Sequence, residues 1–130
     1  MIAVILATSR LERLYTGLSL LVSAAAEGRA ARCLVTFPAL APLLDDRLVA
    51  RALRPEETPD LTEPGRDVFA RTLGELLDTA AGLEDCRLWV CAAAVETTGA
   101  DRAAVEARFD GVLSTPRFLR EVAGAQLVAL

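Results

Sequence analysis

Five short apolar runs, separated by stretches whose apolar residues recur every three or four positions, restrict the fold of this 130-residue chain more than any other feature. Ile2 to Ala7, Cys33 to Phe37, Arg87 to Cys91, Val112 with Leu113, and Gln126 to Leu130 each read as a strand. Near-continuous apolar runs of this kind fit strands of a parallel sheet covered on both faces. After the first run, Leu11, Leu14, Tyr15, Leu18, Leu21, Val22 and Ala25 mark one face of a helix, opened by the capping-box spacing of Ser9 and Glu12 and closed by Gly28. A second helical stretch starts near Pro42 and reaches about Leu53. A third carries Val68, Phe69, Leu73, Leu76, Leu77 and Ala80 on one face and ends near Gly82. Asp101 can cap a short helix through Ala107, and Thr115 followed by Pro116 starts the last one. Strands alternating with helices predict right-handed crossovers and an α/β fold: a flavodoxin-like three-layer α/β/α arrangement around a mostly parallel five-stranded sheet, spanning residues 1–130 as one domain.

The one long connector expected is Arg54 to Arg66, where Pro55, Pro59 and Pro64 stand among Glu56, Glu57, Asp60 and Glu63; it reads as solvated and too polar to pack. A net charge of −4 argues against nucleic acid or an anionic membrane surface as partner. The most apolar stretch, around Leu18 to Ala26, is well short of the ~20 residues that span a bilayer. Three cysteines make an odd number, and no basic segment with a following apolar core opens the chain, so a reduced cytoplasmic setting without membrane attachment is expected.

Two absences narrow the chemistry. There is no histidine, and all 14 basic residues are arginine. Serine or cysteine hydrolysis of the usual kind needs an imidazole base, and Schiff-base chemistry and Walker-type phosphate binding need a lysine amine. Cys33, Cys86 and Cys91 form no CxxC pair, so no metal is expected, and no glycine-rich signature marks a nucleotide or flavin cofactor. What remains is thiol chemistry that needs no general base, such as thiolate or persulfide exchange.

Cys91 is the candidate for it, because it ends the third strand, where open α/β sheets place ligands. Other polar residues follow strand ends on the same expected rim: Thr8, Ser9 and Arg10 after the first, Thr97 and Thr98 in the loop after Cys91, and Ser114, Thr115 and Arg117 after the fourth. These supporting groups converge only if their strands are neighbours. Arginines or helix N-termini close to the thiol would favour its ionised form. Cys33 and Cys86 read as structural, and Cys86 and Cys91 would point to opposite faces of one strand, out of disulfide reach.

The segment Leu88-Trp89-Val90-Cys91-Ala92-Ala93-Ala94-Val95, with Gly99 after it, resembles the cysteine-bearing segment of the DsrE/DsrF-like sulfur-relay family, most closely its TusD-like members. Ile2-Ala3-Val4-Ile5-Leu6-Ala7, Ala24-Ala25-Ala26-Glu27-Gly28, Val35-Thr36-Phe37 and Gln126-Leu127-Val128-Ala129-Leu130 fall in the order that family uses. The resemblance implies a compact α/β/α domain that assembles into a homo-oligomer, a trimer or hexamer. It also implies a sulfurtransferase or sulfur-carrier role in which Cys91 holds sulfur as a persulfide between a donor and an acceptor protein. Glu96-Thr97-Thr98 departs from it, since relay members often have basic residues after the cysteine. The alternative reading is a non-catalytic oligomeric module of the same family, binding a small ligand or acting as a scaffold, with Cys91 as a small buried hydrophobe.

Overall fold

The computed structural model describes all 130 residues. Its strands are β1 (Ile2–Leu6), β2 (Ala31–Val35), β3 (Cys86–Cys91), β4 (Gly111–Leu113) and β5 (Gln126–Ala129). Its helices are α1 (Leu11–Ala26), α2 (Leu40–Leu44), α3 (Leu48–Ala52), α4 (Glu63–Gly82), α5 (Ala92–Thr98), α6 (Arg102–Arg108) and α7 (Thr115–Glu121), with a 3-10 turn at Phe37–Ala39. All five strands are parallel, in the order β4-β3-β2-β1-β5. The chain is thus the expected three-layer α/β/α fold. Each predicted strand exists, with its ends moved by one or two residues.

Strand register sorts the side chains onto two faces. Val4, Cys33 and Leu88 stand in one row, and Leu6, Val35 and Val90 in another on the same face. α1 and α4 cover that face: Leu11, Leu14, Leu18 and Leu21 of α1 and Ala70, Leu73 and Leu77 of α4 are buried against it. The close approach of α1 depends on Gly17, where an added Cβ would run into Leu6 Cδ2. The other face carries Ala3, Ile5, Leu34, Trp89 and Cys91 and is covered by the short α7, whose Phe118 meets Trp89 edge-on at 6.2 Å. No helix is long and apolar enough to cross a membrane.

Three local expectations are corrected. Ser9 does not cap α1: Arg10 is the N-cap with no side-chain cap bond, and Thr8 Oγ1 accepts from the Arg10 N–H. The helical stretch from Pro42 to Leu53 is broken into α2 and α3, because the backbone at Asp45 turns extended (ψ 118°) and its carboxylate accepts from the Arg47 N–H in a local turn. The Arg54–Arg66 connector is not simply solvated. Thr58 is 0% and Arg66 8% exposed, and α4 already begins at Glu63, capped by Thr62 Oγ1 accepting from the Gly65 N–H. A polar segment packs here because its guanidinium finds carbonyls to bond, which composition does not register.

Candidate functional site at the end of β3

Cys91 is the last residue of β3 and the N-cap of α5. The segment after it is helical, where the sequence reading placed a loop, and Gly99 stops it in the left-handed conformation at φ 70°. This removes Thr97 and Thr98 from the site. Their hydroxyls donate back to the carbonyls of Ala93 and Ala94 along α5.

Strand order decides which rim residues reach Cys91. β3 lies between β2 and β4, with Val35 beside Val90 and Leu113 beside Cys91. The residues that leave those strands, Thr36 and then Ser114 with Thr115, therefore flank the thiol. β1 stands two strands away, roughly 9–10 Å at the usual strand spacing, so Ser9 and Arg10 do not join the site. Ser114 is spent as the N-cap of α7, accepting from the Arg117 N–H, and Arg117 itself points to solvent. Of the supporting residues expected, only Thr115 acts on the sulfur directly. Thr36 was missed; its position one residue past a strand neighbouring β3 identifies it only once the strand order is known.

The sulfur is prepared without any cation. Burial acts first and would raise the Cys91 thiol. Against it stand the N–H of Ala94, the hydroxyl of Thr36, the N–H of Ala93 and the hydroxyl of Thr115, which together hold the thiol below its ordinary value. The residue is 4% exposed, beneath exposed Ala93 and Thr115 and half-buried Thr36. Three surface clefts exist, none lined by Cys91, Thr36 or Thr115. One is adjacent: Phe37, Leu40, Ala41, Leu44, Thr98 and Ala100 enclose about 170 Å³. Phe37, directly after Thr36 and before Pro38, holds φ 33°, the one non-glycine residue with a positive φ, and is 47% exposed. A backbone in this region costs on the order of 1–3 kcal/mol and persists only where its surroundings enforce it.

The other two cysteines are the opposite case. Burial, reinforced by neighbouring Cys86, pushes the Cys33 thiol far up. Cys86 is pushed up to about 11, by burial first and Asp110 next, with Arg32 and Arg87 pulling it back. Both are free and within the core, diagonal to each other on adjacent strands. Unfolded thiols ionise near ~8.5, so above that pH the unfolded chain releases two protons that the native chain keeps. Stability fully present below pH ~8.5 is expected to fall as pH rises toward the native values, by up to about 2.7 kcal/mol per pH unit for the pair. Urea melts from pH 8 to 11 measure this. The double variant Cys33→Ala, Cys86→Ala should start lower but show a much flatter profile, and an unchanged slope rejects the assignment.

The chain matches no family model and no curated protein.

Proposed function

We propose that this chain is a sulfur-relay protein that carries sulfur as a persulfide on Cys91. The observation that carries the reading is the place of Cys91 at the end of β3, between β2 and β4, where the N–H groups of Ala94 and Ala93 and the hydroxyls of Thr36 and Thr115 hold its thiol below the ordinary value, in a chain with no imidazole and no amine side chain. Such a thiol ionises without a general base. The resemblance of residues 88–95 to the DsrE/DsrF-like family supports the same role.

The transfer balances without a cofactor. Cys91 thiolate attacks the outer sulfur of a donor persulfide; a sulfur–sulfur bond forms at Cys91, the donor's own sulfur–sulfur bond breaks, and the donor leaves as a thiolate. An acceptor thiolate then takes the outer sulfur, and Cys91 departs as a thiolate. The donors that favour ionisation serve twice, since they stabilise the attacking group in the first step and the leaving group in the second. With no cleft at Cys91, the donor and acceptor are protein thiols presented at the strand-end rim, in a reducing compartment such as the cytoplasm. Exposure of only 4% makes a brief local opening part of each exchange.

That same low exposure favours a second reading, in which Cys91 only packs and the chain is a non-catalytic module. Incubation of the folded protein with a persulfide donor separates the two. Intact-mass and peptide spectra should find one added sulfur on Cys91 and none in Cys91→Ser. A wild-type protein that gains no sulfur, and whose Cys91 is also inert to iodoacetamide, belongs to the second class.

A further inference from the structure

We propose that a groove along α2 docks an extended segment of the thiol-bearing partner protein, with an apolar side chain of that segment beside Phe37 and a basic one at Asp45 and Asp78. This partner presupposes the sulfur-relay role of Cys91 and gives the protein that exchanges sulfur with it a definite chemistry.

The three clefts adjoin one another. Leu44 lines the cleft at Phe37 and also the next one, of about 330 Å³, whose other walls are Asp46, Ala104, Ala107 and Arg108. Asp46 and Arg108 in turn line the last, of about 190 Å³, which has Asp45 and Asp78 among its walls. Shared walls join them into one groove that runs from the end of β2 to the second half of α4. Its near end lies close to the thiol. Phe37 directly follows Thr36, whose hydroxyl serves the Cys91 sulfur. Thr98 ends the helix that Cys91 caps, about 10 Å along its axis. At ~3.3–3.6 Å per extended residue, a side chain about three residues from a partner's cysteine reaches this cleft while the cysteine stands at the rim. The five residues of α2 cover roughly 7–8 Å before Asp45, so the far end is met about two or three residues later.

Each part of the groove specifies what fills it. The near cleft is walled by Phe37, Leu40, Ala41, Leu44 and Ala100. At about 170 Å³ it is smaller than the ~300–1,000 Å³ of pockets that enclose small ligands, so it fits a side chain better than a metabolite. Successive side-chain pockets are how extended peptides gain specificity. In the middle, Ala104 and Ala107 are small enough for a backbone to pass close. The far end is acidic. Of Asp45, Asp46 and Asp78, only Asp46 has an ion pair, with Arg108, and Arg108 is already engaged by the Leu43 carbonyl. The Asp46 side chain is 94% exposed, so a competing cation displaces that pair at little cost. Glu96 on α5, exposed and unpaired, carries the same sign toward the thiol. Members of the DsrE/DsrF-like relay family often have basic residues after the cysteine; the reversed sign here calls for a basic partner.

Peptides test this. Each carries serine or cysteine, leucine about three residues on, and arginine or glutamate about three beyond, in both chain directions. With serine, fluorescence anisotropy at low salt should show the arginine peptide binding about tenfold more tightly than the glutamate peptide in one direction, a difference lost near 1 M salt, where the screening length is ~3 Å. The difference should also vanish in Asp45→Asn with Asp78→Asn; asparagine keeps the acceptor for the Arg47 N–H, so the local turn survives. Ala41→Trp, at an exposed position of α2, fills the near cleft and should erase the advantage of leucine over alanine in the peptide. With cysteine, the arginine peptide should take sulfur from a Cys91 persulfide correspondingly faster than the glutamate peptide. Charge-selective binding to a protein whose Cys91 never loads sulfur supports the groove and rejects the relay role. Equal binding of arginine and glutamate peptides overturns the proposal. So does a groove filled by a second copy of the chain, seen as peptide binding that weakens as protein concentration rises.

Discussion

Replacing Thr36 by valine is expected to raise the apparent pKa of Cys91 by about one unit and to slow its alkylation by about tenfold at pH below its midpoint. The size follows from the worth of a hydrogen bond to a charged group, roughly 1.5–3 kcal/mol, against 1.36 kcal/mol per pKa unit. Valine keeps the shape of threonine and the half-buried position at the end of β2 while removing the donor. Thr115→Val should act in the same direction, and the double variant should shift further, toward two units, because both hydroxyls serve the same sulfur. The readout is the iodoacetamide rate on the folded protein across pH 5 to 10. Opening of the strand-end rim multiplies the rate at every pH alike, so it changes the plateau, whereas loss of a hydroxyl donor moves the midpoint. A Thr36→Val profile with an unmoved midpoint would show that the hydroxyl does not stabilise the thiolate. The linkage has a definite sign. A thiol held low in the native state adds stability that is present above the unfolded value near ~8.5 and is lost as pH falls through the native value, so Thr36→Val should cost most at alkaline pH.

That Cys91 mattered could be read from its place at the end of an apolar run, but its neighbours could not. The run Cys86–Cys91 and the change to alanines mark a strand end locally, and local patterns survive in a linear sequence. Which threonine stands beside the thiol depends on strand order, a non-local property. A rim drawn from β1, β3 and β4 selected Ser9 and Arg10, two strands away, and passed over Thr36 on the strand next door. The electrostatic expectation failed for a related reason. Arginine was the expected source of thiolate stabilisation, yet Arg10 and Arg117 act on the thiol nowhere, and neutral donors do the work instead. α5 was hidden because Glu96-Thr97-Thr98-Gly99 has the composition of a loop. In the folded chain both threonine hydroxyls bond back to helix carbonyls and Gly99 supplies the stop.

A large loss of stability is expected on substitution of Arg66, in the stretch that composition assigned to solvent. Its Nε donates to Thr58 Oγ1 at 2.9 Å, and its Nη2 donates to the carbonyls of Thr58 and Leu61, each at 3.0 Å. Thr58 Oγ1 in turn donates to the Ala52 carbonyl at 3.4 Å, so one guanidinium ties the end of α3 and the Pro-rich connector to the first turn of α4. Two effects oppose each other in Arg66→Met. Removing a buried charge relieves its desolvation, which in other settings makes such replacements neutral or favourable. Here no carboxylate shares the site, and the partners left behind are one hydroxyl and two carbonyls that stay in place when the guanidinium goes. Stranded acceptors of this kind cost roughly 1–3 kcal/mol each, which outweighs the relief. A net loss of about 3 kcal/mol is expected in urea melts, seen as a lower midpoint with little change in slope. Arg66→Lys should fall between wild type and Arg66→Met, since an ammonium presents a compact point charge and cannot reproduce the planar fork that reaches three acceptors. Limited proteolysis adds a second measure: the segment 53–62 should become the first site of cleavage in Arg66→Met while Cys91 alkylation stays at the wild-type rate, because the strand-end rim shares no bond with this corner of the fold. Equal stability of Arg66→Met and wild type would mean that the connector is held by its apolar neighbours alone, and the guanidinium would then be a passenger in a pocket that closes without it.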